Sequence, residues 1–214
     1  MSACLSTVAI ATVEIVTPTT TAKKARNLPG LHNVVTYADE LLCGGVPEGE
    51  QGFAALATLG VKTVISVDGA TPDLVHATAH GLRYVHLPIS YDTVSSERQL
   101  QLAQAIRNVQ RPIYVHCHHG KHRRGAALAT ALVCAGEMSV AEVSERMGVS
   151  GTAASYTGLW QAVRAAQPMS PAQLQADPAS FPSVTVVTGL VATMAEMDQI
   201  IDLVRQSHQA RWQA

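Results

Sequence analysis

This sequence predicts an α/β fold, with a mainly parallel central sheet flanked by helices and a helical C-terminal extension. Three observations carry that prediction. From Leu41 onward, short β-rich runs alternate with helical patterns, the order expected of parallel strands joined by crossover helices. The junctions carry helix start and stop residues, such as Thr-Pro, Ser-x-x-Glu and single glycines. Beyond Gly136 the pattern is helical only.

The elements follow in order. Strands are read at Glu40 to Cys43, Lys62 to Val67, Tyr84 to Pro88 and Ile113 to His116. Phe53, Leu56 and Leu59 recur at helical spacing before Gly60, which suits a C-terminal cap. Thr71 followed by Pro72 reads as an N-cap with proline at the first helical position, and Gly81 closes that helix. Ser96 with Gln99 forms a capping box ahead of Leu102, Ala103, Ile106 and Val109, and Ser139 with Glu142 forms a second. RRGAALATALVCAG is rich in helix formers and sets Leu128, Ala131, Leu132 and Ala135 on one face. Helices are then expected at 139–148, 154–166 and 186–211. The last carries Leu190, Val191, Met194, Met197, Ile201 and Val204 along one side, a stripe that should pack on a core. Tyr156 and Trp160 read as core residues for the same reason. The four prolines of 167–183 mark a connector with one short helix after Ser170 and Pro171.

Composition bounds the possibilities. A chain of 214 residues, 47% hydrophobic, supports one full domain with an appendage. We divide it into a leader at 1–28, expected to be disordered, a domain at 29–166, and a connector with a C-terminal helix at 167–214. A formal net charge of −1 gives no basic excess, so nucleic acid is not an expected partner. Cys4, Cys43, Cys117 and Cys134 form no C-x-x-C pair, which argues against a zinc knuckle or a disulfide framework and favours a reducing, cytoplasmic setting. Glu14 interrupts the apolar leader, which lacks a basic start; no membrane span is expected, and an atypical export signal is the lesser alternative.

The chemistry concentrates in YVHCHHGKHRRG, from Tyr114 to Gly125. One cysteine, four histidines, a lysine and two arginines occupy the loop between a strand and a helix, at the edge of the sheet where open α/β sheets bind ligands. Backbone N–H groups at a helix N-terminus attract anions before any side chain is counted. Cys117 is placed there to react as a thiolate, Arg123 to fork onto phosphoryl oxygens, and Gly120 to let the loop bend inward. His116 is expected to hold the loop, while His118, His119, Lys121 and His122 alternate between wall and rim. Metal binding by H-C-H-H-x-x-H is disfavoured, because a tight anion loop fans its side chains outward and four adjacent ligands could not converge on one ion.

HCHHGKHR matches the H-C-x-x-G-x-x-R signature of the cysteine-dependent protein tyrosine phosphatase superfamily, the C-x5-R phosphate loop. It looks most like the compact dual-specificity branch, whose atypical plant and fungal members share G-K-H-R. LLCGGVPEGEQGFAALATLGVKTVISVDG and GLRYVHLPISYD resemble that family's front half in order and spacing, so the likeness runs over roughly residues 30–165. The resemblance implies a two-step hydrolysis of phosphate monoesters through a cysteinyl-phosphate on Cys117, with no metal or cofactor. It also implies a general acid on the loop after the preceding strand, where Asp92 is the nearest carboxylate; Asp68 is the reserve.

The implied substrate is a phosphorylated protein or a small polyanionic phosphate. Lys121, Arg124 and the histidines favour several phosphates, as in an inositol phosphate. One departure stands out. The family usually follows its arginine with Ser or Thr, whose hydroxyl hydrogen-bonds the leaving thiolate, and here Arg124 takes that place, which should slow release of the covalent intermediate. Two rival readings follow: a catalytically weak or inactive phosphoryl-binding module and, ranked lower, a rhodanese-type sulfurtransferase.

Overall fold

The computed structural model describes residues 19–211, apart from several side chains of the last helix. Six strands form one sheet: β1 (Arg26–Leu28), β2 (Leu31–Ala38), β3 (Leu41–Gly44), β4 (Thr63–Ser66), β5 (Arg83–His86) and β6 (Ile113–His116). Their order is β1-β2-β3-β6-β4-β5. The four strands β3, β6, β4 and β5 are parallel, and β1 and β2 extend the sheet in antiparallel fashion.

Alternation along the strands divides the core in two. Leu41, Cys43, Ile65, Val67, Val85, Ile113 and Val115 face α3 (Ser96–Asn108), α4 (Arg123–Cys134), α5 (Val140–Val149) and α6 (Thr157–Ala165). Leu42, Val64, Tyr84 and Tyr114 face the other way, onto Phe53 and Leu56 of α1 (Gly49–Thr58) and Ala77 of α2 (Leu74–Ala79). Every residue of α4 is buried. Its run of glycine and alanine lets α3, α5 and α6 close around it, so the helix that follows the histidine-rich loop is the central pillar of one layer.

The parallel strands and their helices stand where the sequence predicts them, with ends shifted by a residue or two. The β1–β2 hairpin was not foreseen, and its first strand occupies residues assigned to the leader. Pro29 and Gly30 make the turn; Gly30 has φ +65°, and a Cβ there would lie 2.4 Å from the Gly52 nitrogen. The rest of the leader, residues 1–18, lies outside the described residues.

Two helix starts move for one reason, which side chain reaches an open N–H first, and a third moves without a side-chain cap. Asp73, not Thr71, caps α2 by accepting from His76 N–H at 3.1 Å. Ser95, not Ser96, caps α3, and Gln99 donates to Val94 O instead of closing a box. The helix expected from 154 begins at Thr157. The Ser139–Glu142 capping box is present. In the connector, residues 171–174 form only a turn, and a 3-10 turn stands at Pro178–Ser180.

The final helix, α7 (Gly189–Arg211), corrects one expectation. Met197, Ile201 and Val204 are 55%, 42% and 63% exposed, so the stripe does not pack on the core; the side chain of Leu190 is outside the described set. The helix seats through Ala195, 5% exposed, against Gly69. Val191 and Ala195 close on that glycine, and Met197, Ile201 and Val204 fall beyond the edge of the domain. Among the described residues no helix is long and apolar enough to cross a membrane.

The connector is clasped to the outer edge of β5. His86 N–H donates to Pro182 O at 2.8 Å, Thr185 Oγ1 donates to His86 O, and Thr185 N–H donates to His86 Nδ1 at 3.0 Å. Nδ1 is therefore an acceptor, and Nε2 carries the proton that reaches Asp68 O at 2.8 Å. Burial holds this imidazole below its ordinary value, opposed by the Asp68 contacts. A histidine with a depressed folded value contributes stability above its unfolded value, near pH 6.5, and loses it as pH falls below that. Acidification from about pH 7 to 5 is expected to release the clasp, read as a fall in the protection factor of the Thr185 amide, with His86→Gln removing that pH dependence. Exchange that follows the intrinsic rate alone in both proteins would refute it.

Candidate active site

At the end of β6, the two-residue alternation sets Cys117 on the same face as Ile113 and Val115, buried beneath the loop that leads to α4. The carbonyls of that loop are tied outward. His118 O accepts from Val46 N–H at 3.0 Å, Lys121 O accepts from Thr152 Oγ1 at 2.9 Å, and Gly120 O accepts from Arg124 Nε at 3.0 Å and from the Asn33 side-chain amide. In a trans peptide, C=O and the next N–H point opposite ways, so the N–H groups of His119, Lys121 and His122 turn to the concave side. His122, at the N-cap of α4, makes no side-chain capping bond, which leaves the helix start available to an anion.

Gly120 has φ +64°, and a Cβ there would lie 2.2 Å from Gly45 N. The glycine is needed because the loop backs onto the turn after β3, a closer constraint than the approach of a ligand.

Arg123 is buried at the far end of the loop. Its Nη2 lies 3.2 Å from Asp68 Oδ2 and 3.8 Å from Asp198 Oδ2, and its guanidinium carbon sits 4.4 Å above the Tyr91 ring. Burial pushes the Asp68 carboxyl up, and Arg123, the Ala70 N–H, His116 and His118 more than reverse this, so it stays below the usual carboxylate range. A carboxylate held ionised in this way orients the arginine, so the structure places Asp68, the reserve acid of the sequence reading, as the partner of Arg123.

Arg124 turns the other way. It is fully buried, donating to Gly120 O through Nε and, at 2.8 Å, through Nη2; Nη2 also reaches Asn33 O at 2.9 Å, and Nη1 reaches Ser150 Oγ at 3.1 Å and the Cys43 thiol. It braces the loop from beneath and cannot meet substrate, contrary to the sequence reading. Asn33, at φ +55°, completes the brace by donating to Gly120 O and, at 2.8 Å, to Ser150 O. The sequence signal for it is thin, since asparagine merely tolerates that backbone region better than most residues.

Other sequence-predicted residues divide between mouth and frame. His116 is buried, shares a hydrogen bond with Tyr84 OH, and is pushed by burial down to about 4 against the pull of Asp68, so it is frame. His122 accepts from Ala153 N–H through Nδ1 at 3.2 Å and packs on Tyr156 with ring centroids 4.2 Å apart; burial and the neighbouring cations lower its value. Lys121 is exposed. The His118 and His119 rings meet edge to face at 4.5 Å. These two histidines and Asp198 bring ligand-type atoms within 4.8 Å of one another, a closer convergence than the sequence reading allowed.

Asp92 is exposed on the loop after β5, its N–H donating to Ser90 Oγ at 3.2 Å. The loop rests on α6, where a Cβ on Gly158 would lie 1.5 Å from Asp92 O. Its neighbour Tyr91 packs between Arg123 and Tyr156, the two tyrosine rings 5.1 Å apart, so Tyr156 serves both core and site. Tyr91 and Asp198 were not singled out from sequence.

Residues 43–137 match the family model described as "Polymorphic toxin system, DSP-PTPase phosphatase". Over that segment the chain is similar to dual-specificity-type phosphatases. Solved phosphatases share its fold. The core catalytic domain of the PP-IP phosphatase Siw14 from S. cerevisiae, in complex with citrate, is 17% identical with a TM-score of 0.56, covering 65% of this chain and 88% of its own. A cysteine-to-serine form of P. aeruginosa TpbA in complex with phosphotyrosine is 23% identical with a TM-score of 0.57, covering 69% and 93%. A putative phosphatase from Shewanella putrefaciens is 22% identical with a TM-score of 0.53, covering 65% and 96%. No curated protein matches the chain.

In this loop, Arg124 is predicted to be a structural residue. Arg124→Ser, which restores the more usual residue, should destabilise the protein by about 3 kcal/mol or more, since it leaves a cavity and removes the guanidinium donors from the Gly120 and Asn33 carbonyls. Urea denaturation measures it; a change under about 0.5 kcal/mol would show that the brace is dispensable.

Proposed function

We propose that the chain hydrolyses phosphate monoesters through a cysteinyl-phosphate on Cys117. The observation that supports this best is the loop with its carbonyls tied outward, Cys117 at one end, and Arg123 at the other held by Asp68. Cys117 Sγ attacks phosphorus, the ester P–O bond breaks, and Asp92 protonates the leaving oxygen. Water then attacks phosphorus, the P–S bond breaks, and the Asp92 carboxylate takes the water's proton. Arg123 and the inward N–H groups carry the charge of the equatorial oxygens in both steps.

Arg124 brings no hydroxyl to the leaving thiolate, so the second step is expected to limit turnover. The substrate class proposed is a phosphorylated protein side chain. The polyanion alternative loses one of its cations, since Arg124 is buried, and retains Lys121 and the histidines of the rim. The neighbours offer one precedent for each, phosphotyrosine bound to TpbA and the inositol-type substrate in the description of Siw14.

Hydrolysis of para-nitrophenyl phosphate from about pH 4.5 to 8, with chelator present, tests the reading. Wild type should show a product burst equal to the enzyme concentration, Cys117→Ser should be inactive, and Asp92→Asn should lose about a hundred-fold in kcat and the basic limb of the kcat/KM profile. Activity that survives in Cys117→Ser would sink the mechanism. Silence of the wild type, with inorganic phosphate still bound, would establish the binding module instead.

A further inference from the structure

We propose that α7 is an internal ligand of the phosphate site, its Asp198 carboxylate competing with phosphorylated substrate for Arg123; this rests on the phosphate-binding reading above. The carboxylate lies 3.8 Å from the Arg123 guanidinium and shares a cluster with the His118 and His119 rings within 4.8 Å. Arginine offers a carboxylate the same fork of N–H donors that it offers a phosphoryl group. With Asp68 already on Nη2, Asp198 is a second negative group facing the same cation. A phosphoryl dianion arriving there would be repelled by Asp198, so substrate and the docked helix exclude each other.

The docking is built, and three features show it. Val191, Ala195 and Asp198 follow one another at i, i+4 and i+7 on a single helix face. The first two close on Gly69, immediately after Asp68: a Cβ on that glycine would lie 2.8 Å from Val191 O and 3.2 Å from Ala195 Cβ. The seat thus fixes the helix one turn short of the mouth and carries Asp198 over Arg123. The connector, clasped to His86 through Pro182 and Thr185, leaves only residues 186–188 between the clasp and Gly189. So short a tether keeps the carboxylate at high effective concentration, and competition does not depend on any second molecule.

Calorimetric titration of the full-length protein with inorganic phosphate, in chelator so that no cation bridges the cluster, tests the proposal. Asp198→Asn removes the competing charge, and Ala195→Gln unseats the helix without adding charge. Each should tighten phosphate binding by about two- to five-fold, the range of a partly exposed ion pair, and the double variant should bind no tighter than the better single one. Unchanged or weaker binding in Asp198→Asn would overturn the proposal. So would a fall in kcat with loss of the basic limb at unchanged phosphate affinity, which would make Asp198 a proton donor. Arg123→Lys separates the two levels. If it weakens phosphate binding, the site stands and α7 is judged by the other variants; if none of the proteins binds phosphate, the site and the internal ligand fall together.

Discussion

The hydrogen bonds from Arg124 to Gly120 O hold the loop in its shape, and much else in the domain follows from them. A guanidinium taken wholly out of water loses its hydration, a penalty of several kcal/mol before any partner is counted. Two backbone carbonyls, a serine hydroxyl and a thiol answer its N–H groups, drawn from β2, β3, the end of α5 and the loop itself. One side chain thereby stitches four segments, and with the Asn33 amide it keeps the Gly120 carbonyl turned away from the concave side of the loop.

The two adjacent arginines owe their separate fates to helix geometry. A step of one residue in an α-helix turns the side chain by about 100°. At the N-terminus of α4 that rotation sends Arg123 to the concave side, against Asp68 and Tyr91, and Arg124 under the sheet, against Cys43 and Asn33. The first presents its charge to whatever enters the loop. The second spends its donors on architecture, although its charge still lies close enough to favour a negative occupant above it.

Much of this was legible in the sequence, because parallel strands and loop motifs are local signals. The four central strands, the helix opened by Arg123 and the Ser139–Glu142 box could be read from residue spacing. The β1–β2 hairpin could not, since residues 31 to 38 carry His32 and Asn33 and lack a clean alternation; their burial comes from the neighbouring strand and loop. In the site, Cys117 and Arg123 are consecutive parts of one motif, whereas Asn33, Tyr91 and Asp198 arrive from distant segments with no spacing to announce them. Arg124 was legible as a departure and illegible as a brace, because sequence shows which residue is present and only packing shows which way it points.

Gly158 carries a different sort of consequence. It belongs to α6, outside the segment 43–137 that the phosphatase family model covers, yet the Asp92 backbone lies where its missing methyl group would be. The depth at which the Asp92 loop hangs beside the site is therefore gauged by a helix outside the motif. An excised segment 43–137 would keep Cys117 and Arg123 and lose the ruler against which the Asp92 loop is set. In this chain the unit that fixes the loop geometry is longer than its motif-bearing part, and its far boundary is drawn by one absent carbon atom.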